Sequence, residues 1–418
     1  MRRVPPRFGG TRAAGAEIMK VSIVAGTRPE VIKLAPVRAA LLGTPDLQPE
    51  WVSTGQHGSL ADQTLDVFGI TPDARLQLDW NGKALTSLTS ALIRDLGEQF
   101  AASRPDFVLV QGDTASAFSG AMAAFLNDIP VGHVEAGLRS GDMRHPFPEE
   151  GFRKLISPIA DLHFAPTRAA AKHLTGEGIS TDRVRVTGNT VIDAVQMVGA
   201  MDIRPQALDR VRTNERMVLV TLHRRENWDE GVSGVSTAIK ALRNRYPDLR
   251  FVIPVHLNPR VRGPIEALLG NEERIELIEP LAYPDFVAMM KRAHLILSDS
   301  GGVQEEAPSF GVPVLVLRDK TERGEAVKAG VARLVGSRAE TILTNACQLL
   351  DNPRAYRRMS RAANPFGDGH AGRRIAQLVS AFLGAGSRPQ APQAAPDLQD
   401  LRPEAQPVQD AQRVKVGA

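Results

Sequence analysis

The chain has 418 residues, of which 43% are hydrophobic and 23% charged, and its formal net charge is +4. This length suggests about two domains of ordinary size. Residues 1–18 hold four arginines and one glutamate, so most of the positive charge lies there and the remaining body is nearly neutral. A neutral body argues against nucleic acid as the main ligand, and we expect neither a nucleic-acid nor a membrane partner.

Cysteine usage and the absence of long apolar runs predict a cytoplasmic protein. Cys347 is the sole cysteine of the sequence, which excludes an intrachain disulfide and a cysteine metal cluster. Residues 1–18 contain no continuous apolar segment of the kind found in signal peptides, and no later run is long enough to span a bilayer. Because Met19 directly precedes the first clear strand, we interpret residues 1–18 as either an upstream mis-start or a disordered extension.

From Met19 onward, short apolar runs alternate with helix-length segments, which predicts an α/β fold built from parallel sheets. The predicted strands of the first half are K-V-S-I-V-A, E-W-V-S-T, F-V-L-V, V-G-H-V, L-H-F-A and V-R-V-T. Those of the second half are M-V-L-V-T-L, F-V-I-P-V, I-E-L-I, L-I-L-S, V-L-V-L and A-R-L-V. We expect an N-terminal domain at 19–189, joined by a final helix at about 370–384, a second domain at 190–365, and a disordered tail at 385–418.

Polar residues follow many of these predicted strands. They are Thr27-Arg28, Gln56-His57, Gly112-Asp113, Glu135, Gly188-Asn189, His223-Arg224, His256, Ser300-Gly301-Gly302 and Arg318. Ligands of open α/β sheets bind beyond the carboxyl ends of the strands. Two sheets that point these ends at each other would form one interdomain cleft, rich in groups suited to phosphate and sugar hydroxyls.

The stretch from Pro130 to Lys154 places His133, Glu135 and Glu149 around a glycine-rich turn. A carboxylate that ends an apolar strand is costly to bury unless it has a partner or a task. For Glu135 the structural alternative is an ion pair with Arg139. For Glu149 and Glu150 it is the favourable position of an acidic side chain in the first turn of a helix. We expect His133 to be structural.

Two further segments have both structural and functional interpretations. Asp113 precedes a predicted helix and, taken alone, is better explained as its N-cap. In A-G-T-R-P-E, Gly26 and Thr27 end a strand and Pro29 suits a first helical turn, so we expect free backbone N–H groups to face the cleft. Arg28 is then either a phosphate ligand or a solvated side chain.

The second half offers a matching set of groups for an anion. Asp299–Glu306, D-S-G-G-V-Q-E-E, follows a strand and opens a helix, and its two glycines allow an anion close to the backbone. Glu306, one turn into that helix, could pair with two ribose hydroxyls. The cluster H-R-R-E-N at His223–Asn227 is either an arginine-glutamate ion network or, opposite Arg28, a means of neutralising a diphosphate.

Gly367, Gly369 and Gly372 form a G-x-G-x-x-G, but no predicted strand precedes them, so we do not interpret them as a dinucleotide fingerprint. The sequence contains no P-loop, no H-x-x-x-H pair with an internal glutamate and no D-x-D pair. These patterns indicate neither a metal nor a nicotinamide cofactor.

Taken together, the motifs resemble the non-hydrolysing UDP-N-acetylglucosamine 2-epimerases. They are G-T-R-P-E, G-D-T, G-H-V-E-A-G-L-R, P-E-E, G-N-T-V-I-D, H-R-R-E-N, P-V-H-L-N-P, D-S-G-G-V-Q-E-E-A-P and T-E-R-G-E-A. The resemblance runs from about Lys20 to the final helix. It implies a GT-B-like arrangement of two Rossmann-type domains with an interdomain active-site cleft, a last helix that crosses back to the first domain, a homodimer, and no metal or added redox cofactor.

The resemblance also implies roles for individual residues. The acid/base carboxylates would be Asp113, Glu135 and Glu149, and the essential histidine would be His223. The nucleotide and phosphate contacts would be Arg28, Lys33, Ser300, Gly301, Gly302, Glu306 and Arg323. Some members bind a second, activating UDP-N-acetylglucosamine, for which the matching residues are Gln56, Glu150, Arg224 and His256. Ser59 departs from that pattern, because the family commonly has Q-H-R-(E/Q)-M-L where this chain has Q-H-G-S-L.

The implied activity is reversible C2 epimerisation of UDP-N-acetylglucosamine to UDP-N-acetylmannosamine, by elimination of UDP to 2-acetamidoglucal and re-addition. Which carboxylate removes the proton and which returns it stays open. Three alternatives share the motifs or the fold: a hydrolysing 2-epimerase, a GT-B glycosyltransferase, and a UDP-sugar sensor without catalysis. Precursors of wall polymers and of surface polysaccharides are both compatible with the sequence.

Overall fold

The computed structural model describes residues 18–78, 84–224, 227–228 and 230–385. The predictions for the N-terminal extension and the C-terminal tail concern residues that lie, apart from Ile18 and Ala385, outside this part of the chain. The strands are β1 Met19–Ala25, β2 Leu47–Ser53, β3 Ala74–Arg75, β4 Phe107–Gln111, β5 Val131–Val134, β6 Leu162–Ala165, β7 Val184–Val186, β8 Arg216–Thr221, β9 Leu249–Pro254, β10 Ile275–Ile278, β11 Leu295–Ser298, β12 Val314–Val316 and β13 Ala332–Leu334.

Helices connect successive strands, and three of them follow the last strand. They are α1 Arg28–Leu42, α2 Ser59–Val67, α3 Leu85–Ser103, α4 Ala115–Leu126, α5 Glu149–Ile159, α6 Arg168–Gly176, α7 Thr190–Gly199, α8 Glu230–Arg245, α9 Pro259–Leu269, α10 Tyr283–Arg292, α11 Gly301–Glu306, α12 Gly324–Ala329, α13 Ala339–Asp351, α14 Pro353–Ser360 and α15 Ala371–Gly384. None of these helices is both long and apolar enough to cross a membrane, within the residues described above.

The described strands form two parallel sheets. The first has the order β3-β2-β1-β4-β5-β6-β7 and the second the order β10-β9-β8-β11-β12-β13. Strands covered on both faces by helices read as continuous apolar runs. Each run predicted as a strand is indeed a strand. The two-residue β3, at the edge of the first sheet, was not predicted, because two residues are too few to show a pattern.

Each sheet reverses its strand order at one point, which is where open α/β sheets bind ligands. In the first sheet this switch point lies between β1 and β4, and in the second between β8 and β11. The segments that leave these strands carry Arg28, Asp113, His223 and Ser300. The topology therefore brings predicted site residues to the position where a ligand is expected.

The chain crosses between the sheets twice. After β7, helix α7 packs into the second sheet, where Val195 and Val198 share a buried cluster with Met217 and Leu219. The return crossing ends in α15, which packs into the first sheet's core, with Val379 among the buried residues. The domain limits at residues 189 and 365 stay predictions, since packing alone does not fix them.

The glycine motif at Gly367, Gly369 and Gly372 belongs to the return crossing. It follows α14 rather than a strand, which agrees with our decision not to interpret it as a nucleotide fingerprint. Gly372 lies so close to α1 that a Cβ there would be 2.8 Å from the carbonyl oxygen of Pro36. The carboxylate of Asp193, on α7, accepts the Gly372 N–H at 2.8 Å and so caps α15. Helices α1, α7 and α15 therefore meet at one tight junction.

We predict that Gly372→Ala lowers the stability of the protein by about 1–3 kcal/mol, the usual cost of overpacking. The added methyl group would meet backbone atoms of α1, which cannot move aside as a flexible side chain would. Gly384→Ala, in the same helix but with nothing within 4 Å, is the matched control. Thermal unfolding followed by circular dichroism measures both, and equal midpoints for the two variants would contradict the prediction.

Candidate active site

Residues that follow strands of the two sheets come together in one cleft. Thr167, after β6, donates to Glu325 Oε1 at 3.3 Å. The Asn189 side chain, after β7, contacts a carboxylate from each sheet. Arg28, after β1, is close enough to Glu306 to influence its ionisation. These contacts define the candidate site as the space between the carboxyl ends of the two sheets.

Glu135 is a buried carboxylate of the site that accepts hydrogen bonds from three side chains. It directly follows β5, is 8% exposed, and has a φ of 62°, a left-handed conformation that costs a non-glycine residue about 1–3 kcal/mol. Lys33 Nζ lies 2.6 Å from both of its oxygens. Gln111 Nε2 and, at 3.3 Å, Asn189 Nδ2 also donate to it.

The charges around Glu135 keep it ionised. Burial alone would raise the pKa of Glu135, but Lys33, Arg323 and Arg153 together outweigh that effect and the pKa is lowered. The structural alternative for Glu135, an ion pair with Arg139, is wrong. The Arg139 guanidinium instead pairs with Glu177, with Nη2 2.6 Å from Oε2. Lys33, 102 residues away in sequence, neutralises Glu135 in its place.

Asp113 is not the N-cap of α4, which corrects the structural interpretation of this residue. Thr114 is the cap, because its Oγ1 accepts the Ala117 N–H at 3.0 Å. The Asp113 carboxylate instead forms an ion pair with Arg153. Burial raises the pKa of Asp113 in spite of that arginine, and the nearby Glu135 acts in the same direction. Asp113 is therefore closer to protonation at neutral pH than an exposed aspartate.

Glu149 and Glu150 occupy different environments although both begin α5. Glu149 Oε2 is buried and has no hydrogen-bond partner within the described part of the chain. Its charge contributes to the raised pKa of Asp113, so the two carboxyl groups are close. Glu150 is fully buried and accepts the Ser140 N–H at 3.0 Å and Arg153 Nη1 at 3.2 Å. Glu150 is thus held by the protein itself, whereas Glu149 is left for a ligand.

His133 takes part in the structure of the site rather than lining it. It is fully buried, and its Nε2 lies 2.7 Å from the carbonyl oxygen of Gly112. Burial lowers the pKa of His133 to about 4, so the ring is neutral at physiological pH. Its hydrogen bond holds the turn that carries Asp113.

His223 forms a dyad with Asp299, which we did not predict. Nδ1 of His223 lies 2.8 Å from Oδ1 of the fully buried Asp299. The same carboxylate accepts the backbone N–H groups of His223 and Arg224 and the side-chain amide of Asn227, at 3.0–3.1 Å. Burial would raise the pKa of Asp299, but the hydrogen bond from His223 and the others lower it. An ionised Asp299 fixes the proton on Nδ1 and directs Nε2 elsewhere.

Two guanidinium groups lie close to Gly301, where the sequence predicts an anion site. Arg224 Nη2 and Arg323 Cζ each lie 3.7 Å from the position that a Cβ on Gly301 would occupy. Ser300 is the N-cap residue of α11, and Gly302 follows within the same turn. Because α11 has only six residues, we base the expected anion site on the two arginines and not on the helix.

The N-terminus of α1 contributes less than we predicted. The backbone N–H groups of Gly26 and Thr27 both donate to Glu30 Oε2, at 3.0 and 2.8 Å. They are therefore not free to bind a ligand, and that prediction was wrong. The exposed Arg28 remains the group that this segment presents to the cleft.

Glu306 and Tyr283 form a buried polar pair across from Arg28. Burial raises the pKa of Glu306 to about 8, so its carboxyl group is partly protonated at neutral pH. Neither Glu306 Oε2 nor the Tyr283 hydroxyl has a hydrogen-bond partner among the described residues. Unpaired buried polar atoms are rare, and a ligand hydroxyl would satisfy them.

The residues proposed for a second ligand site have mixed surroundings. Gln56 Oε1 accepts the Ser116 hydroxyl at 2.7 Å, so it is engaged within the first sheet's helices. His256 is exposed and its Nδ1 accepts the Asn258 N–H at 3.1 Å. Glu150 is buried, as described above, and Arg224 lies at Gly301. Their role as an activating site stays a prediction.

Four residues of the candidate site were missed because only distant partners reveal them. They are Gln111, Arg153, Asp299 and Glu305. Asp299 and Glu305 lay within a motif already singled out, so position was the available signal. Asn189 was among the residues expected to line the cleft, and its side chain contacts a carboxylate from each sheet. Within the described ranges, no three His, Cys, Asp or Glu side chains are grouped so that they could hold a metal ion.

Comparisons with known proteins agree with this architecture. The family model described as UDP-N-acetylglucosamine 2-epimerase matches residues 39–380. A UDP-N-acetylglucosamine 2-epimerase of Bacillus subtilis is 46% identical over 359 residues, which cover 86% of this chain and 94% of that protein. Crystallographic neighbours include UDP-GlcNAc 2-epimerase from Neisseria meningitidis bound to UDP-GlcNAc, with a TM-score of 0.78, 44% identity, and coverage of 87% of this chain and 100% of that one.

A second solved neighbour is the S. aureus MnaA–UDP structure, with a TM-score of 0.79 and 42% identity, covering 90% of this chain and 100% of that one. The two parallel sheets and these neighbours confirm the predicted GT-B-like α/β fold with its cleft between the sheets.

We predict that Thr114→Ala lowers the free energy of unfolding by about 1 kcal/mol, the typical value of a helix N-cap. Thr114→Ser is the matched control, since it keeps the hydroxyl oxygen that accepts the Ala117 N–H. Denaturant titration of both variants measures the difference. Equal losses for the two variants would contradict the capping role of Thr114.

Proposed function

The chain belongs to the UDP-N-acetylglucosamine 2-epimerase family, and we propose that it interconverts UDP-N-acetylglucosamine and UDP-N-acetylmannosamine without hydrolysis. The observation that carries this proposal is the presence in one cleft of two unlike carboxyl groups, Asp113 and Glu135, together with the guanidinium groups of Arg224 and Arg323. Proton transfer and retention of a nucleotide leaving group need those two features together.

The C2 hydrogen of the sugar is barely acidic, so its removal must be coupled to loss of UDP from C1. A base takes the C2 proton, the C–H electron pair forms the C1–C2 double bond, and the C1–O electron pair leaves with UDP. The intermediate is 2-acetamidoglucal. Re-addition of a UDP oxygen to C1, with proton delivery to the opposite face of C2, gives the epimer. The route requires an acid and a base on opposite faces of the ring.

The environments of the carboxyl groups suit Glu135 to the role of base and Asp113 to the role of acid. Glu135 has a lowered pKa because of Lys33, so it is ionised and can accept a proton. Burial raises the pKa of Asp113, so this carboxyl group is protonated more readily than an exposed aspartate. Groups whose surroundings push their pKa values apart are suited to acid and base roles. Glu149, with its unpaired buried oxygen, is the third participant that we propose.

The leaving nucleotide would be held from both sides of the cleft. Arg323 and the Ser300–Gly302 turn would bind the diphosphate, with Arg28 opposite, and His223 would present Nε2 to a phosphate oxygen. Glu306 would bind the ribose hydroxyls, which would satisfy its unpaired oxygen. Lys33 lies on Glu135 rather than in that subsite, so its phosphate contact would require the side chain to move.

We also propose, from the family resemblance, a cytoplasmic homodimer whose product enters polysaccharide biosynthesis. Phe125 and Leu126, at the end of α4, are 54% and 66% exposed and are suitable apolar residues for such an interface. The activating second site is not part of the proposal, because Gln56 and Glu150 are engaged within the protein.

Incubation with UDP-N-acetylglucosamine in heavy water should place deuterium at C2 of both UDP-sugars, with formation of UDP-N-acetylmannosamine. Proton NMR follows the exchange directly. Stoichiometric release of free UDP and N-acetylmannosamine would instead favour the hydrolysing reaction. If neither deuterium exchange at C2 nor epimer formation is observed, the proposal is wrong. Transfer of the sugar to an acceptor would then indicate a glycosyltransferase.

Asp113→Asn, Glu135→Gln and Glu149→Gln should each reduce turnover by at least about a hundredfold, the scale of general acid-base catalysis. The matched control is Glu340→Gln, which changes an exposed glutamate in the first turn of α13. Initial rates of epimer formation measure the effect. If all three site variants turn over at nearly the control rate, the carboxyl groups are structural and the protein is a sensor.

A further inference from the structure

Asn189 lies where the two chain crossings between the sheets meet. It follows β7 at the first crossing, and its backbone N–H donates to the carbonyl oxygen of Phe366, on the return crossing, at 2.7 Å. The side chain is 3% exposed. A change in the relative position of the two sheets would therefore alter the contacts of Asn189.

The orientation of the Asn189 amide is fixed by its capping role. Oδ1 accepts the Val191 N–H at 3.1 Å and caps α7, so Nδ2 must point the other way. There it donates to Glu135 Oε1 at 3.3 Å and to Glu305 Oε2 at 3.1 Å. One amide hydrogen therefore bonds to Glu135, which follows a strand of the first sheet, and the other bonds to Glu305, which follows a strand of the second.

Glu305 connects the Asn189 amide to the predicted anion subsite at Gly301. It is 4% exposed, and its other oxygen, Oε1, accepts Arg323 Nε at 2.6 Å. The Arg323 guanidinium is the group that lies against Gly301. An unbroken chain of hydrogen bonds therefore runs from Arg323 through Glu305 and Asn189 to Glu135.

We propose that Asn189 and Glu305 are positioning residues that couple occupation of the nucleotide subsite to the proton-accepting state of Glu135. The inference rests on the proposed function and identifies how that site is regulated. In the free protein, Arg323 is among the cations that lower the pKa of Glu135. A bound diphosphate would neutralise Arg323, so the pKa of Glu135 would rise and the carboxylate would become a stronger base when substrate is present.

Glu135 is surrounded by charged or titratable groups from every element packed against it. They are Lys33 of α1, Asp113 after β4, His133 of β5, Arg153 of α5, Glu305 of α11 and Arg323 after β12. Lys33, Arg153 and Arg323 lower its pKa. A neighbouring negative charge raises the pKa of a carboxyl group. Removing a negative charge from this cluster should therefore lower the pKa of Glu135 further, and adding a negative charge should raise it.

Two substitutions test the coupling in opposite directions. Asn189→Asp keeps the cap but replaces the amide donor with a third carboxylate, which should raise the pKa of Glu135. Activity that needs ionised Glu135 is lost as pH falls through its pKa, so the acidic limb of kcat/KM should move up by about one pH unit or more. Glu305→Gln removes a negative charge, so the same limb should move down.

Asn352→Asp is the matched control, because Asn352 caps α14 in the same way and lies outside the site. Its pH profile should coincide with that of the wild type. The wild-type protein supplies a further readout: the acidic midpoint of kcat, which reports the substrate complex, should lie above that of kcat/KM, which reports the free enzyme. Solvent-deuterium exchange at C2 measures all of these rates.

Opposite shifts in the two variants, with thermal midpoints near that of the wild type, would support the coupling. A charge added or removed beside Glu135 moves the acidic limb even without coupling, so the deciding readout is the wild-type protein. Equal acidic midpoints of kcat and kcat/KM in the wild type would overturn the coupling while leaving the proposed function intact. If the wild-type protein itself shows no C2 exchange at any pH, the proposed function and the coupling are both overturned.

Discussion

The buried ion pair between Lys33 and Glu135 is the interaction on which the rest of the site depends. Their side chains are 17% and 6% exposed, so each charge is held away from water. Breaking such a pair by removing one partner costs about 3–5 kcal/mol, because the other charge is left uncompensated. The left-handed backbone of Glu135 and the donors Gln111 and Asn189 then fix the carboxylate at the edge of the cleft.

The double Rossmann-type topology explains how this pair becomes part of a working site. Parallel strands bring their carboxyl ends to one edge, and the reversal of strand order opens a crevice there. The first sheet contributes carboxyl groups whose pKa values are shifted in opposite directions, and the second contributes arginines around Gly301 and a carboxylate-oriented His223. The two chain crossings join these halves next to Asn189, so one network of hydrogen bonds connects Glu135 with Arg323, the residues to which we assign proton transfer and nucleotide binding.

The fold was largely predictable from the sequence because strands buried on both faces are continuous apolar runs. The surroundings of the site were less so. Lys33 and Glu135 are far apart in sequence, and no local pattern pairs them. Asp113 and Thr114 are both good N-caps, and which of them caps the helix depends on a backbone shift of one residue. Glu30 occupies N–H groups that looked free, since its side chain reaches back one turn.

The central claim is that the C1–oxygen bond breaks reversibly while UDP stays bound. Positional isotope exchange tests this most directly, with oxygen-18 placed in the oxygen that bridges C1 and the β-phosphorus of UDP-N-acetylglucosamine. Free rotation of the released β-phosphate makes its terminal oxygens equivalent before re-addition. We expect phosphorus NMR to show the label moving into non-bridging positions without accumulation of free UDP. Epimer formation with the label still wholly in the bridge would contradict the account.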